Sequence, residues 1–216
     1  LPDLSQSLLL ISLMALPFLL AITLHEAGHA FAAHLLGDAS QRASRRLSFN
    51  PLVHLDPVGS VAIPLVAIFT GFPFLIGYAK PVMIQPRWFK NMRRDMILVA
   101  LAGPAGNFVV AIFCAYIWRF SYGFGAANGE WIVETMKYGV FLNCLFMVFN
   151  LLPIPPLDGG GVVEQLLPYE MAQKYRSVAP FGFILLMVIV VFAKPVILVP
   201  TFFMSSLVID LVGVPL

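Results

Sequence analysis

The run Leu8–Leu36, LLLISLMALPFLLAITLHEAGHAFAAHLL, decides the fold. It is apolar for longer than the roughly 20 residues an α-helix needs to cross a hydrocarbon core about 30 Å thick. Yet it carries His25, Glu26, His29 and His34. An ionisable side chain at membrane depth costs about 2.5–3.5 kcal/mol or more when unpaired, so His25, Glu26 and His29 need a common partner. On an α-helix, positions i and i+4 lie about 40° apart around the axis, one turn apart on one face. His25 and His29 therefore present two imidazole nitrogens to one cation.

The rest of the chain reads the same way. Of its 216 residues 60% are hydrophobic and 11% charged, against about 25% charged in a soluble domain. A water-soluble globule is excluded, and so is a disordered chain, because apolar surface is abundant and the net charge is only +2. So small a charge excess gives no reason to expect a nucleic-acid partner. Cys114 and Cys144 both lie inside apolar runs and read as small buried hydrophobes, which leaves no disulfide framework and no Cys-rich metal site. No internal repeat or low-complexity tract divides the chain, which reads as a single membrane domain over residues 1–216.

Four segments read clearly as membrane helices: Leu8–Leu36, Met96–Trp118, Trp131–Leu152 and Pro180–Val212. The last is interrupted by Lys194, Pro195 and Pro200, so it is one kinked span or two shorter pieces. A fifth candidate, Val58–Tyr78, contains Pro64 and the break Gly71-Phe72-Pro73. The fold expected is an all-α polytopic membrane protein of four to six membrane segments, with a re-entrant or extra helix. The loops flanking Val58–Tyr78 are the two most basic: Arg42, Arg45 and Arg46 before it, and Lys80, Arg87, Lys90, Arg93 and Arg94 after it. The positive-inside rule puts both in the cytoplasm, which requires Val58–Tyr78 to begin and end on one side, re-entrant or lying along the cytoplasmic leaflet. With the N-terminus outside, the HEAGH helix and the helix Trp131–Leu152 then run parallel.

The chemistry expected at His25 and His29 is that of zinc. A zinc ion lowers the pKa of a water it holds to about 7, and Glu26, next to the first ligand, is placed to take that water's proton. A catalytic zinc usually takes three protein ligands and one water. The candidates for the third are Asp158, His54, His34 and Asp56. Asp158 follows Asn150-Leu151-Leu152-Pro153-Ile154-Pro155-Pro156-Leu157, where three prolines forbid a continuous helix. Non-helical backbone at membrane depth is tolerated where it is buried in protein or lines a wet cavity. The other reading of Asp158 is an N-cap for a helix beginning near Gly160.

His25-Glu26-Ala27-Gly28-His29 together with the distant Asn150…Pro156-Leu157-Asp158-Gly159 resembles the site-2 protease family of intramembrane zinc metalloproteases. The resemblance runs from about Leu16 to Pro168 and includes Leu101-Ala102-Gly103-Pro104-Ala105-Gly106-Asn107, similar to the family's small-residue helix between the two motifs. It implies that His25, His29 and Asp158 bind one zinc ion, that Glu26 is the general base, and that Asn150 falls near the metal as an oxyanion donor. Its compact form, without PDZ or CBS domain, is the one resembled. The segment Asn50–Tyr78, with His54 between Pro51 and Pro57, departs from the best-known pattern.

Other residues divide between two readings each. His54 is either a plain loop histidine or a stabiliser that faces the site. His34 lies on a different helix face from the zinc pair and reads as interfacial. Asn107 is either interhelical glue or a substrate-amide contact. The stretch Tyr78–Ile84, before Gln85 and Pro86, alternates and reads as a short edge strand at the membrane surface that could hold an unwound substrate by strand addition, with Lys80 a substrate contact or a lipid-snorkelling side chain. The function expected is zinc-dependent endoproteolysis of membrane-protein or peptide substrates within or near their membrane segments, in the inner membrane of a prokaryote with the site toward the cytoplasm. The rival is a non-proteolytic zinc-binding scaffold or transporter, against which Glu26 speaks, since a structural site needs no base. Substrate identity and oligomeric state stay open.

Overall fold

The computed structural model describes residues 3–71, 77–121 and 126–214. Among them the chain forms helices α1 (Leu4–Leu35), α2 (Ser40–Ala43), α3 (Pro51–His54), α4 (Ile63–Thr70), α5 (Met92–Ser121), α6 (Ala126–Asn150), α7 (Asp158–Leu166), α8 (Tyr169–Arg176), α9 (Ala179–Phe192) and α10 (Lys194–Val212). Four helical segments are long and apolar enough to cross a membrane: α1, α5, Gly129–Asn150 within α6, and α10. A fifth exists if α8 and α9, which meet at a 64° bend, count as one. This is an integral membrane protein.

The bundle is built around the contact of α1 with α5, and α6 packs against both. Small residues set the α1–α5 distance. A Cβ on Gly28 would lie 2.5 Å from the Ala102 carbonyl oxygen, and one on Gly106 would lie 2.7 Å from that of Leu24. Where lipid is as apolar as the side chains, such close backbone approach is what holds helices together. A larger core of Val110, Ala111, Cys114, Ala115 and Trp118 meets Met136, Val140 and Cys144 of α6 and Val208 and Val212 of α10. Both cysteines are buried and free, as their apolar context requires. Arg119 donates to the Val212 carbonyl, so α10 ends beside the end of α5. Large side chains such as Val109, Phe113, Phe202, Phe203 and Leu211 stay exposed around the bundle, as a lipid-facing surface must.

The segment Val58–Tyr78 folds back on itself. Asp56 caps the π-helical turn Pro57–Ala62 through Val58 N–H (3.0 Å) and Gly59 N–H (2.8 Å), and α4 continues from that turn. Together they run from Pro57 to Thr70, roughly 20 Å at 1.5 Å per residue, too short for a span. Gly71 ends α4 in the left-handed region, at φ 69°. The Phe72-Pro73 part of the expected break lies outside the described residues. Tyr78 N–H then donates to the Gly59 carbonyl (3.0 Å), and Ser60 Oγ donates to the Tyr78 carbonyl (2.7 Å). The two ends of the segment touch, so it returns to the level at which it left.

Of the two readings of the last apolar stretch the second holds, and one other expectation changes. The last apolar stretch is two helices, because Ala193 leaves the helical region (φ −125°, ψ 38°) and Pro195 can only begin a new helix. The expected β element is corrected: Tyr78–Gln85 meets no partner strand, and no strand occurs among the described residues. Its N–H groups find isolated acceptors instead. Tyr78 bonds Gly59, Lys80 bonds the His54 carbonyl (2.8 Å), Val82 bonds Glu26 (3.0 Å) and Gln85 bonds Asp38 (2.8 Å). A ladder needs a neighbour with evenly spaced groups, and here the neighbours are helix ends and side chains.

Candidate metal centre

His25 and His29 lie on the buried face of α1, against α5. Their room is made by Gly103, where a Cβ would fall 2.3 Å from His29 Nε2 and 2.8 Å from His25 Cε1. The two Nε2 atoms are 3.1 Å apart. Asp158 arrives from the far end of the chain, with Oδ2 3.2 Å from His25 Nε2 and Oδ1 3.4 Å from His29 Nε2. It is the first residue of α7, whose N-cap is Leu157 and has no side-chain cap, so its carboxylate does not cap the helix and is turned to the histidines. Glycine behind it allows this: a Cβ on Gly159 would strike the Leu151 carbonyl at 2.2 Å, and one on Gly160 the Pro155 nitrogen at 2.6 Å. α7 thus nests in the Pro-rich turn.

The donor set fits a metal ion. Ligand atoms around a tetrahedral zinc with bonds of about 2.0–2.1 Å stand roughly 3.3–3.4 Å apart, and here the three separations are 3.1, 3.2 and 3.4 Å. His29 Nδ1 is 2.7 Å from the Val99 carbonyl oxygen. A carbonyl only accepts, so Nδ1 carries the hydrogen and neutral His29 offers its Nε2 lone pair. Asp158 Oδ2 is buried without a hydrogen-bond donor. Lone pairs this close in a buried place repel one another unless a cation lies among them. Among the described residues this is the one group of three such side chains with ligating atoms mutually within 4.8 Å.

The remaining candidates go elsewhere. Asp56 is occupied as a helix cap. His34 is half-buried at the end of α1. His54 is fully enclosed, with Nε2 2.9 Å from the Ser48 carbonyl and Nδ1 without a partner. Asn150, the last residue of α6, donates its amide to the Phe146 carbonyl of its own helix (3.0 Å). Asn107 is fully buried and bonded to His25, Ala21 and Asn143, so in this conformation it offers nothing to a substrate. Lys80 is exposed on the strip Tyr78–Gln85, and its carbonyl accepts from Arg46 (3.3 Å).

Glu26 is half-buried, and its Oε2 accepts from Val82 N–H. The strip that provides this donor is anchored by Asp38, which sequence reasoning missed. Asp38 is fully buried and accepts from Ser40 N–H (3.0 Å), Ser40 Oγ (2.5 Å), Gln41 Nε2 (3.0 Å) and Gln85 N–H. Gln41 also reaches the Met83 carbonyl (2.9 Å). Burial pushes the Asp38 carboxyl up, but these donors outweigh it and hold it below its ordinary range. Nothing in the Gly37-Asp38 dipeptide marks its tie to the strip, because Gln85 lies 47 residues on.

A model of peptidase family M50 matches residues 13–191. The chain is 33% identical over 182 residues to "Putative zinc metalloprotease YwhC" of Bacillus subtilis (strain 168), which covers 82% of this chain and 80% of that one. It is 33% identical over 177 residues to "Putative zinc metalloprotease Rip2" of Mycolicibacterium smegmatis, covering 81% and 64%. To the protein of the same name in Mycobacterium tuberculosis (strain H37Rv) it is 31% identical over 183 residues, covering 82% and 65%. It therefore spans just under two thirds of the Rip2 proteins. No solved structure matches the chain. The match from α1 through α9 takes in both halves of the metal cluster at once, and on it the chain belongs to peptidase family M50, the site-2 proteases, and is a metalloprotease.

Proposed function

We propose that this protein is an intramembrane zinc endopeptidase that hydrolyses peptide bonds within or near the membrane segments of other membrane proteins. The observation that carries the proposal is the convergence of His25 and His29, beside Glu26 on a helix long and apolar enough to cross the bilayer, with Asp158 at the start of α7. These three residues would hold the metal. When bound, zinc would polarise the scissile carbonyl and acidify the attacking water. Glu26 is the general base in this reading. Val82 N–H engages Oε2, which leaves Oε1 to take the proton from water and return it to the leaving amine. Asn150 and His54 are the candidates for steadying the carbonyl oxygen, each with a hydrogen-bonding position unfilled. His54, being enclosed, would act after a local opening.

A membrane helix has its carbonyls bonded internally and must be unwound before cleavage. The strip Tyr78–Gln85 is suited to holding it extended. Tyr78 and Lys80 spend both their N–H and C=O groups on the protein side, while Ala79, between them, has neither engaged. Its outer edge is thus open to an added strand ending near Glu26. Lys80, exposed there, would meet substrate or anionic headgroups. The basic loops on both sides of Val58–Tyr78 support a mouth that faces the cytoplasm of a prokaryotic inner membrane.

The test uses purified protein, a tagged single-span substrate and the Glu26→Gln variant. The variant is expected to keep the zinc stoichiometry of the wild type and to lose cleavage by a factor of roughly 100 or more. Cleavage at the wild-type rate would remove Glu26 from the role of base. Zinc absent from both proteins would remove the metallopeptidase reading of the site.

A further inference from the structure

The imidazole of His25 is gripped by side chains of two other helices. Asn107 on α5 and Asn143 on α6 are both fully buried at membrane depth. Asn143 Nδ2 is 2.8 Å from the Gly139 carbonyl oxygen of its own helix. Asn107 Nδ2 is 3.2 Å from Asn143 Oδ1 and 2.9 Å from the Ala21 carbonyl oxygen, and Asn107 Oδ1 is 2.7 Å from His25 Nδ1.

Each orientation follows from the one before. A carbonyl oxygen only accepts, so Asn143 turns its amino group to Gly139 and its oxygen to Asn107. Asn107 then faces two acceptors, Asn143 Oδ1 and Ala21 O, and must turn its amino group to them. Its oxygen is left for His25, whose Nδ1 must carry the hydrogen. The Nε2 lone pair is then directed at His29 and Asp158.

This excludes a competing state. With its hydrogen on Nε2, His25 could donate to Asp158 Oδ2, 3.2 Å away, and the ligand set would satisfy itself without a metal. In that tautomer the Nδ1 lone pair would face Asn107 Oδ1 at 2.7 Å, a buried repulsion that no water relieves. His29 gets the same treatment from a main-chain oxygen, that of Val99. Only at His25 does a side chain set the tautomer.

We infer that Asn107, itself set by Asn143, is a positioning residue that locks His25 in its Nδ1–H tautomer and so presents Nε2 as a preformed zinc ligand. This rests on the metallopeptidase reading of the site. Partners of this kind to a metal-bound histidine typically contribute 10- to 100-fold in metal affinity.

The test measures zinc affinity of the purified full chain by competition with a chromophoric chelator, with unfolding of the metal-free protein followed in parallel. Asn107→Leu is expected to weaken zinc binding 10- to 100-fold, and Asn143→Leu to weaken it in the same direction by less. A merely structural asparagine would lower the stability of the metal-free protein and leave affinity in the folded fraction unchanged. Affinity of Asn107→Leu within threefold of the wild type overturns the inference while leaving the zinc site standing. A wild-type protein that binds no zinc overturns the metallopeptidase reading and the inference with it. Should Asn107→Leu not fold, the wild type decides: imidazole nitrogen NMR of the zinc-loaded protein, assigned with His34→Gln and His54→Gln, is expected to show His25 protonated at Nδ1 and metal-bound at Nε2. Binding through Nδ1 overturns the inference.

Discussion

At the scale of single residues, the candidate metal centre is made as much by what is missing from Gly103 as by the three side chains that would hold the ion. The helix bearing His25 and His29 can lie close enough to α5 for Nδ1 of one to reach Asn107 and of the other to reach Val99 because position 103 has no side chain. A methyl group there would stand 2.3 Å from His29 Nε2, the atom turned toward His25 and Asp158. Overpacking of this kind costs about 1–3 kcal/mol when neighbours must shift, and here the neighbour is a candidate ligand. Gly103→Ala should therefore lower zinc affinity at least tenfold. Gly161→Ala, whose Cβ would meet nothing nearer than 4.0 Å, should keep the wild-type metal content. Equal metal content in the two variants would show that α1 and α5 separate without cost and that Gly103 does not shape the site.

At the scale of elements, the strip Tyr78–Gln85 takes its shape from others. It has no ladder of its own, and its position depends on Asp38 at one end and the re-entrant helix at the other. The Asp38 carboxyl is held below its ordinary range, so the sign of its pH dependence is fixed. Its stabilisation is complete above the unfolded value of about 4 and is lost as pH falls through the lower folded value. At neutral pH the strip is fully held. Asp38→Asn removes the charge that all four donors share and puts an amide nitrogen either against Gln41 Nε2 and Gln85 N–H, which bond one oxygen, or against Ser40 N–H, which bonds the other, donor against donor, and should loosen the strip at any pH. Hydrogen exchange at Val82 and Gln85 should rise by roughly tenfold in that variant, with zinc content unchanged, and in the wild type the same amides should open only in acid. Unchanged exchange in Asp38→Asn would mean that the strip is held from elsewhere.

At the scale of the whole molecule, the question is which side of the membrane each loop occupies. The segment Val58–Tyr78 begins and ends at one level, because Tyr78 bonds Gly59 and Ser60. The basic loops on its two sides are then expected to share a compartment, with α1 and α6 running the same way through the bilayer. That parallel course lets His25 and His29 meet Asp158, which lies just beyond the end of α6. Ser44→Cys and Asn91→Cys, each in a background carrying Cys114→Ala and Cys144→Ala, should both be protected from a membrane-impermeant thiol reagent in intact cells, and both should react after lysis. Labelling of one and not the other in intact cells would place the loops on opposite sides.

The sequence by itself determined the membrane class, the long helices, the expectation that Val58–Tyr78 ends on the side where it began, and the pairing of His25 with His29. Each of these follows from local pattern: apolar length against bilayer thickness, the count of basic residues per loop, or the 3.6-residue period of one helix. Residue spacing alone left Asp158 level with His54, His34 and Asp56, and the family resemblance named Asp158 on its motif. Only the tertiary structure shows Asp158 meeting the histidines, because more than a hundred residues separate them and the proline turn at Pro153–Pro156 must aim the carboxylate. The same is true of Asn107 toward His25, Val99 toward His29, Asp38 toward Gln85 and Val82 toward Glu26. In three of these four pairs one partner is a main-chain group, which every residue type carries, so no residue identity in the chain could have announced it.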